Sequence, residues 1–332
     1  MHRRTLIATA ALSPLLAAPA LAQDRLTPIL DEIEAQDRFR AIAIWRNGTE
    51  IAARGYHGWT PDRATNIKSA SKSIVSALAG IAIAKGALQG PDQPIAPLLQ
   101  NDLPQDPDPR LARVTLGNLL SMQAGLERQS GPNYGRWVSS RNWVRAALAA
   151  PFTQNPGSGM QYSTASTHLV SAILTRATGQ STLALAQDWL APLPGFAITG
   201  WERDPQGIYL GGNQMAMSTR SLMQFGAMYA DGGQVLGRQV VPADWIAQSW
   251  QRRTASIFSG QGYGYGWFLS RAGGRDLRYG WGYGGQMIYV FPRQGRAAPL
   301  AIAMTSDPDQ PSARTGYRDY LQDLAGRIAA SV

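Results

Sequence analysis

Strand-like segments lie near both ends of the chain, and helical segments lie between them. Near the start, residues 41–45 and 51–56 are predicted strands joined by Asn47-Gly48, the strongest short signal for a hairpin. Near the end, aromatic or β-branched runs at 264–270, 286–291 and 300–305 predict three more strands. The candidate helices are residues 25–38, 69–85, 114–122, 142–150, 166–178, 181–190, 218–230 and 317–330. This order predicts one sheet formed from both ends of the chain, with a helical domain inserted between them.

The composition narrows the class of protein. The 332 residues correspond to about two domains at ~150 residues each. Hydrophobic residues make up 44% and charged residues 16%, which excludes a disordered chain. The absence of cysteine excludes disulfides, a cysteine nucleophile and thiolate metal sites, and only three histidines are present. We therefore expect no metal and no cofactor.

The first 22 residues have the pattern of an export signal. Arg3 and Arg4 precede a mostly apolar stretch that ends in Ala20-Leu21-Ala22, a small-x-small cleavage site. A membrane anchor is the alternative, but Pro14 and Pro19 interrupt a run that is already shorter than the ~20 residues a span needs. The arginine pair is similar to a twin-arginine signal. We expect cleavage after Ala22 and a periplasmic or secreted protein, with no membrane span.

The strong positive charge does not point to nucleic acid. The formal net charge is +9, but lysine occurs only at 68, 72 and 85 and the arginines are scattered. Arg252-Arg253 is the only basic pair after the predicted signal, so no basic stripe is formed. We expect neither a nucleic-acid partner nor an obligate protein partner.

Ser69-Ala70-Ser71-Lys72 is the first spacing with chemical meaning. At i and i+3 of a helix, Ser69 and Lys72 share a face, and a buried lysine there can accept the serine proton. A helix cap beside a solvated lysine explains the same pair equally well. Two other segments add weight: Tyr162-Ser163-Thr164 before a helix, and the glycine-rich run at 280–286 before a strand.

Further segments complete a recognisable set. They are residues 114–126, 211–226 and 264–267, which include Leu119-Leu120-Ser121-Met122, Met217-Ser218-Thr219-Arg220 and Gly264-Tyr265-Gly266-Trp267. From about residue 35 to its end, the sequence resembles the serine β-lactamase and penicillin-binding-protein-like superfamily. Within it, the class C-like branch of esterases, D-aminopeptidases and 6-aminohexanoate-dimer hydrolases is most similar.

The resemblance implies a fold and a set of domains. The fold is α+β, β-lactamase/transpeptidase-like: an antiparallel five-stranded sheet flanked by helices, built from both termini, with an inserted all-helical domain. The expected division is a signal at 1–22, an α/β domain of 23–88 with 254–332, and the helical insert at 89–253.

The resemblance also implies roles for individual residues. Ser69 would be the acylated nucleophile, Lys72 its base, and Tyr162 the phenol that shuttles protons. The oxyanion hole would be formed by the backbone N–H groups of Ser69 and of Tyr283, the residue that follows Gly280-Trp281-Gly282. Such preorganised donors stabilise the tetrahedral oxygen.

Two positions depart from the family pattern. Thr164 stands where asparagine is common, and Gly280, followed by Trp281, stands where lysine or histidine is frequent. A cation in the latter position holds a substrate carboxylate, so its absence favours a neutral ester or amide over a penicillin-type substrate. Candidate substrate contacts are Tyr134, Thr164, Asn213, Gly280, Trp281 and Gly282, and for Tyr134 aromatic packing is the alternative. His168 is expected to be structural.

The resulting hypothesis is an exported serine hydrolase that forms an acyl-enzyme on a small ester or amide. Within the same class, β-lactamase, D-aminopeptidase or DD-peptidase activity is the alternative. A non-catalytic penicillin-binding-like recognition module is the rival from another class.

Overall fold

The structure is a computed structural model that describes residues 18–313 and 316–332. Within these residues the strands are β1 Phe39–Arg46, β2 Thr49–Gly55, β3 Thr65–Asn66, β4 Gly200–Trp201, β5 Met215–Met217, β6 Gln234–Val235, β7 Arg238–Gln239, β8 Thr254–Ala255, β9 Gly262–Tyr263, β10 Phe268–Ala272, β11 Arg275–Trp281, β12 Met287–Phe291 and β13 Leu300–Ser306. The α-helices are α1 Ala18–Asp31, α2 Ser71–Ala84, α3 Leu116–Leu120, α4 Tyr134–Val138, α5 Trp143–Leu148, α6 Thr164–Thr178, α7 Thr182–Trp189, α8 Thr219–Ala230, α9 Ala243–Ser249 and α10 Tyr317–Ser331.

One large antiparallel sheet is built from both ends of the chain, in the strand order β2-β1-β13-β12-β11-β10-β9-β8. Ala43 of β1 faces Ala53 of β2 on one side and Ala303 of β13 on the other. The mixed fold and the origin of the sheet in both termini are therefore confirmed. The predicted number of five strands is wrong, because this sheet has eight.

The sequence patterns did not predict the additional strands, and the structure shows why. The predicted strand 264–270 overlaps only the beginning of β10, because residues 264–267 form the turn between β9 and β10, in which Gly266 has a φ of +78°. Strand β11 carries charged residues at 275, 276 and 278 that hide its apolar alternation. Gly273-Gly274, both with positive φ, form the turn that connects β10 to β11.

The two faces of the sheet belong to two separate cores, since successive side chains of a strand point to opposite faces. Ala43, Ala301 and Ala303 pack with the residues of α2 and α8 in one core. Ile42 and Ile302 pack with those of α1 and α10 in the other. Every residue of β12 and β13 is buried, so the centre of the sheet is covered on both sides.

The segment predicted to be an all-helical insert, 89–253, also contains short strands. Strands β4 and β5 form a small sheet together with β3, which lies outside this range, and β6 pairs with β7 in a hairpin. These strands have two or three residues each, too few to show an alternating pattern. Helix α8 lies in this range, yet it packs against β1, β12 and β13 of the large sheet. The division of the chain into domains stays a prediction.

Helices α1 and α2 begin and end at residues other than those predicted. Helix α1 spans Ala18–Asp31 instead of the predicted 25–38, and a 3-10 turn at Glu32–Ala35 leads from it into β1. Most of the predicted signal, 1–22, lies outside the described residues. Helix α2 begins at Ser71, and Ser69 lies in a 3-10 turn, Lys68–Ala70, that precedes it. No helix in residues 18–313 or 316–332 is long and apolar enough to cross a membrane.

Candidate active site

Ser69 and Lys72 meet at the beginning of α2. Lys72 Nζ donates a hydrogen bond to Ser69 Oγ over 3.0 Å and to the Gly212 carbonyl over 2.6 Å. The 3-10 turn leaves Ser69 partly exposed, while Lys72 is only 1% exposed because α2 is buried through its first three turns. The residue before the serine, Lys68, has a φ of +49°, a left-handed conformation that is rare outside glycine and is characteristic of functional sites.

Burial changes the proton affinity of Lys72. Removing the ammonium from water lowers the pKa of Lys72 to about 7. A neutral amine is therefore available near neutral pH, and it lies within hydrogen-bond reach of the serine hydroxyl. This is the arrangement that a general base requires.

Tyr162 lies on the other side of the serine. It is two residues before α6, it is partly buried, and its hydroxyl shares a hydrogen bond with Ser69. Burial raises the pKa of Tyr162 to about 12, and the hydrogen bond to Ser69 acts in the opposite direction. Lys72 Nζ is 5.2 Å from the centre of the tyrosine ring. Tyr162 is thus a protonated phenol at neutral pH, close to both partners.

Thr164 extends the polar chain away from Lys72. Its Oγ1 is 3.4 Å from Lys72 Nζ and 3.0 Å from Ser130 Oγ, and its backbone N–H donates to the same Ser130 Oγ over 2.9 Å. Ser130 was missed in the sequence because its contact with Thr164 spans 34 residues and no motif surrounds it. A threonine hydroxyl in contact with Lys72 and Ser130 therefore stands at the position where the resemblance implies asparagine.

The turn between β11 and β12 lies against the chain that leads into Ser69. A Cβ on Gly282 would lie 2.5 Å from the Ile67 carbonyl oxygen, and Gly282 N donates to Gln286 O over 2.7 Å. Only glycine permits so close an approach of two backbones. In residues 18–313 and 316–332, neither the Ser69 nor the Tyr283 backbone N–H donates to a protein acceptor. Both donors of the predicted oxyanion hole are thus uncommitted.

Gly280 does not contact the open site. It is buried in β11, and a Cβ there would lie 2.8 Å from Ser73 Oγ and 3.2 Å from Ile288 Cδ1. Its role, and that of the buried Gly282, is close packing against the beginning of α2 and the residues before it. Both positions are buried, so no side-chain surface faces a ligand there, and their role as substrate contacts stays a prediction.

The other predicted contacts are in different surroundings. Asn213 Nδ2 donates to the Tyr134 hydroxyl over 3.0 Å, and both residues are partly exposed beside Gly212. Trp281 is 9% exposed and its Nε1 donates to Ser312 Oγ over 2.9 Å. Asn213 and Tyr134 therefore form one unit next to Lys72, whereas most of Trp281 is part of the core.

Two features lie outside what the motifs indicated. Phe258, 45% exposed, packs edge-to-face on Tyr162 with ring centroids 5.2 Å apart.

His168 is fully buried and lies 3.0 Å from Asp204 Oδ2, beside the rings of Trp137 and Trp143. This environment agrees with a structural role for His168. Among the described residues, no group of three or more His, Cys, Asp and Glu side chains could hold a metal ion.

A sequence model of the beta-lactamase family matches residues 30–327. Among curated proteins, the chain is 28% identical over 184 residues to a probable fimbrial assembly protein of Dichelobacter nodosus. That match covers 52% of this chain and 45% of the relative, so the aligned region spans less than half of that protein's length.

Several solved structures share the fold. A family VIII carboxylesterase has a TM-score of 0.71 at 15% identity, with 97% of this chain and 99% of the other covered. EstCE1, a hydrolase with promiscuous acyltransferase activity, has a TM-score of 0.72 at 17% identity, with 95% and 99% covered. An octameric penicillin-binding protein homologue from Pyrococcus abyssi has a TM-score of 0.66 at 18% identity, with 90% and 75% covered.

The family match extends over nearly the whole described chain, and the similar structures share its mixed fold. It includes the beginning of α2, the residues before α6 and the β11–β12 turn, the three segments on which the resemblance was based. The family predicted from these motifs is thus confirmed, and the chain belongs to the beta-lactamase family of hydrolases.

Proposed function

We propose that this protein is an exported serine hydrolase that forms an acyl-enzyme on Ser69 and hydrolyses a small, neutral ester or amide. One observation carries the proposal: Ser69 Oγ is 3.0 Å from the Nζ of a buried lysine whose pKa is lowered to about 7. A serine beside a neutral amine is an activated nucleophile. Export is supported by the pattern of the first 22 residues alone.

The first half of the reaction uses the three side chains together. Neutral Lys72 takes the Ser69 proton as Oγ attacks the carbonyl carbon of the substrate. The negative oxygen of the tetrahedral intermediate accepts hydrogen bonds from the Ser69 and Tyr283 N–H groups, donors worth ~2.7–4 kcal/mol each in acyl transfer. As the bond to the leaving group breaks, Tyr162 gives its proton to that group and regains one from the Lys72 ammonium.

The second half reverses these proton movements. A water molecule gives a proton to the Tyr162–Lys72 pair and attacks the acyl carbon. Ser69 Oγ then leaves and takes a proton back, which releases the carboxylic acid and restores the free enzyme. No histidine takes part, in agreement with the burial of His168 in its own pair with Asp204.

The charges around the site support a neutral substrate. Lys68, next to the nucleophile, is paired with Asp309 over 3.1 Å. The Arg318 guanidinium pairs with Asp319 and lies over the Trp281 ring, 5.3 Å from its centroid. Lys68 and Arg318, two cations close to the β11–β12 turn, are thus already paired, and the Arg38 guanidinium beside the same turn donates to the Gly284 and Gln310 carbonyls. The carboxylesterase and the hydrolase among the similar structures are in line with ester chemistry.

The test is covalent labelling together with turnover. We expect a fluorophosphonate to label the wild type and not Ser69→Ala, and short p-nitrophenyl esters to be hydrolysed with the same dependence on Ser69. Ser71→Ala is the matched control, because the Ser71 hydroxyl donates to the Lys68 carbonyl rather than to the site. Labelling that persists in Ser69→Ala would refute the nucleophile.

A second arm tests the substrate class. Losing a charge-assisted bond costs anionic substrates about ten- to a hundred-fold in kcat/KM. We therefore expect p-nitrophenyl butyrate to be a better substrate than nitrocefin or benzylpenicillin on the same preparation. A cephalosporin preference would overturn the neutral-substrate assignment, and a protein that is neither labelled nor active would be the non-catalytic module.

A further inference from the structure

Phe258 is one of few large apolar side chains that the described part of the chain leaves exposed, and it borders the site. It lies in the loop between β8 and β9, and 45% of its surface is accessible. Its ring meets Tyr162 edge-to-face with centroids 5.2 Å apart, and meets Trp281 in the same manner at 5.9 Å. It therefore connects the proton-donating phenol to the end of β11 while keeping one side open.

The loop that carries Phe258 is tied down from several directions. The backbone N–H of Phe258 donates to Ser256 Oγ over 3.2 Å, and Ser256, itself buried, exchanges backbone hydrogen bonds with Gly260 and Gln261. The Gln261 side chain accepts from the Tyr279 hydroxyl of β11. An exposed aromatic ring held in this way is preorganised, so that little conformational freedom is lost when a ligand packs on it.

The place of Phe258 determines which part of a substrate it would contact. This step rests on the proposed function, in which Tyr162 gives its proton to the departing alcohol or amine. That group must therefore come close to the Tyr162 hydroxyl, on the ring whose side Phe258 covers. The acyl group remains attached to Ser69 and has no comparable requirement to be near Tyr162.

We propose that Phe258 is a specificity-determining residue whose exposed face receives an apolar leaving group, so that the preferred substrates are esters of hydrophobic alcohols. No unpaired charge is needed for this contact, because an alkyl or aryl group gains by leaving water. Each methylene buried against such a surface raises kcat/KM about fourfold. The preference applies to the alcohol side of the ester and leaves the acyl side unaffected.

Two substrate series separate the alcohol side from the acyl side. The first is methyl, propyl and pentyl acetate, assayed by acid release at constant pH, which varies only the alcohol. The second is p-nitrophenyl acetate, butyrate and hexanoate, which varies only the acyl chain. For the wild type we expect kcat/KM to rise along the first series.

In Phe258→Ala the ratio of kcat/KM for pentyl acetate to that for methyl acetate should fall about tenfold, and Phe258→Leu should restore much of it. The dependence on acyl length should be the same as in the wild type. Leu236→Ala is the matched control: Leu236 is 86% exposed in the turn between β6 and β7 and should leave both series unchanged.

The possible failures have different signatures. A wild type that is labelled by fluorophosphonate but shows no rise with alcohol length contradicts the proposal while the proposed function stands. So does an effect of Phe258→Ala on the acyl series, or an equal loss on every ester, which would mark a ring that only supports Tyr162. If the wild type is not labelled, the proposed function fails and this inference fails with it. Should Phe258→Ala not fold, Phe258→Leu and Phe258→Gln supply the same comparison.

Discussion

Lys72 illustrates how one side chain serves chemistry through its surroundings. Its ammonium is hydrogen-bonded to the Gly212 carbonyl, yet it has no carboxylate partner in the described structure, so burial lowers the pKa of Lys72 to about 7. Gly212 makes this possible: its φ is +90°, and a Cβ there would lie 2.7 Å from Lys72 Cγ. A residue with a side chain at 212 would displace the base.

The first prediction concerns the proton network. Lys72→Ala and Tyr162→Phe should each lower kcat by at least ~10²-fold, because both share protons with Ser69. The double variant should lose far less than the product of the two, since residues that act as a unit are not additive. Steady-state kinetics on p-nitrophenyl butyrate measures this, and losses that multiply fully would mean that the two groups act independently.

The residues of the site divide by how local their signals are. Ser69, Lys72 and Tyr162 could be predicted because each lies in a short motif whose neighbours in sequence are also its neighbours in space. Ser130 and Phe258 could not, because they reach Thr164 and Tyr162 only through the tertiary fold. The close packing of Gly280 could not be predicted for the same reason: the glycine is visible in the sequence, but the helix that packs on it is not.

At the scale of elements, the β11–β12 turn and the beginning of α2 act as one assembly. Gly280 and Gly282 bring the end of β11 against residues 67–73, and Ser312 holds the turn from its other side. The Ser312 backbone N–H and hydroxyl each donate to the Tyr283 carbonyl over 2.9 Å. The Tyr283 carbonyl is therefore held in place by two hydrogen bonds, directly after the close contact of Gly282 with Ile67.

The second prediction follows from this close packing. Gly282→Ala should push the turn away from Ile67 and move the Tyr283 N–H out of position, which should lower kcat by roughly 10²-fold, as loss of one oxyanion donor does. KM should change much less. Gly135→Ala, in helix α4 with open space around its Cβ, is the control and should keep wild-type kinetics.

A Gly282→Ala variant with normal kcat and normal thermal stability would show that the turn does not position a catalytic donor.

The strands around this turn also show how far the sequence predicts elements of the fold. The buried β12 and β13 were predicted from their continuous apolar runs, whereas β11, with its charged residues, was not predicted.

At the scale of the whole molecule, the buried lysine lowers stability. Between pH ~7 and ~10.5 the unfolded chain binds one more proton at Lys72 than the folded chain does, so the free energy of unfolding rises with pH over that range. At pH 7.5 the deprotonation costs about 4 kcal/mol of folding free energy. Lys72 thus raises reactivity at the expense of stability.

The third prediction is that Lys72→Met stabilises the protein at pH 7.5 while abolishing activity. Removing the deprotonation cost outweighs the ~1–3 kcal/mol for leaving the Gly212 carbonyl without its donor. A net gain of about 1–3 kcal/mol should raise Tm by several degrees. The gain in stability should shrink as the pH approaches 10, because little free energy is then needed to keep Lys72 neutral in the folded wild type. Denaturant unfolding at pH 7.5 and pH 10 measures both values, and a variant that is less stable at both pH values would contradict the argument.

The pairing of β1 with β13 sets the order in which the molecule can assemble. Ala41 and Thr305 are neighbours in the sheet although they are 264 positions apart in the chain, the difference between 305 and 41. Contacts at such separation close slowly, because the entropy of a very long loop is lost before they form. During synthesis the β1–β2 hairpin must therefore wait, with one edge open, until almost the entire chain has left the ribosome. The central sheet is completed last, and a chain stopped short of β13 has an unpaired apolar edge that is prone to aggregation.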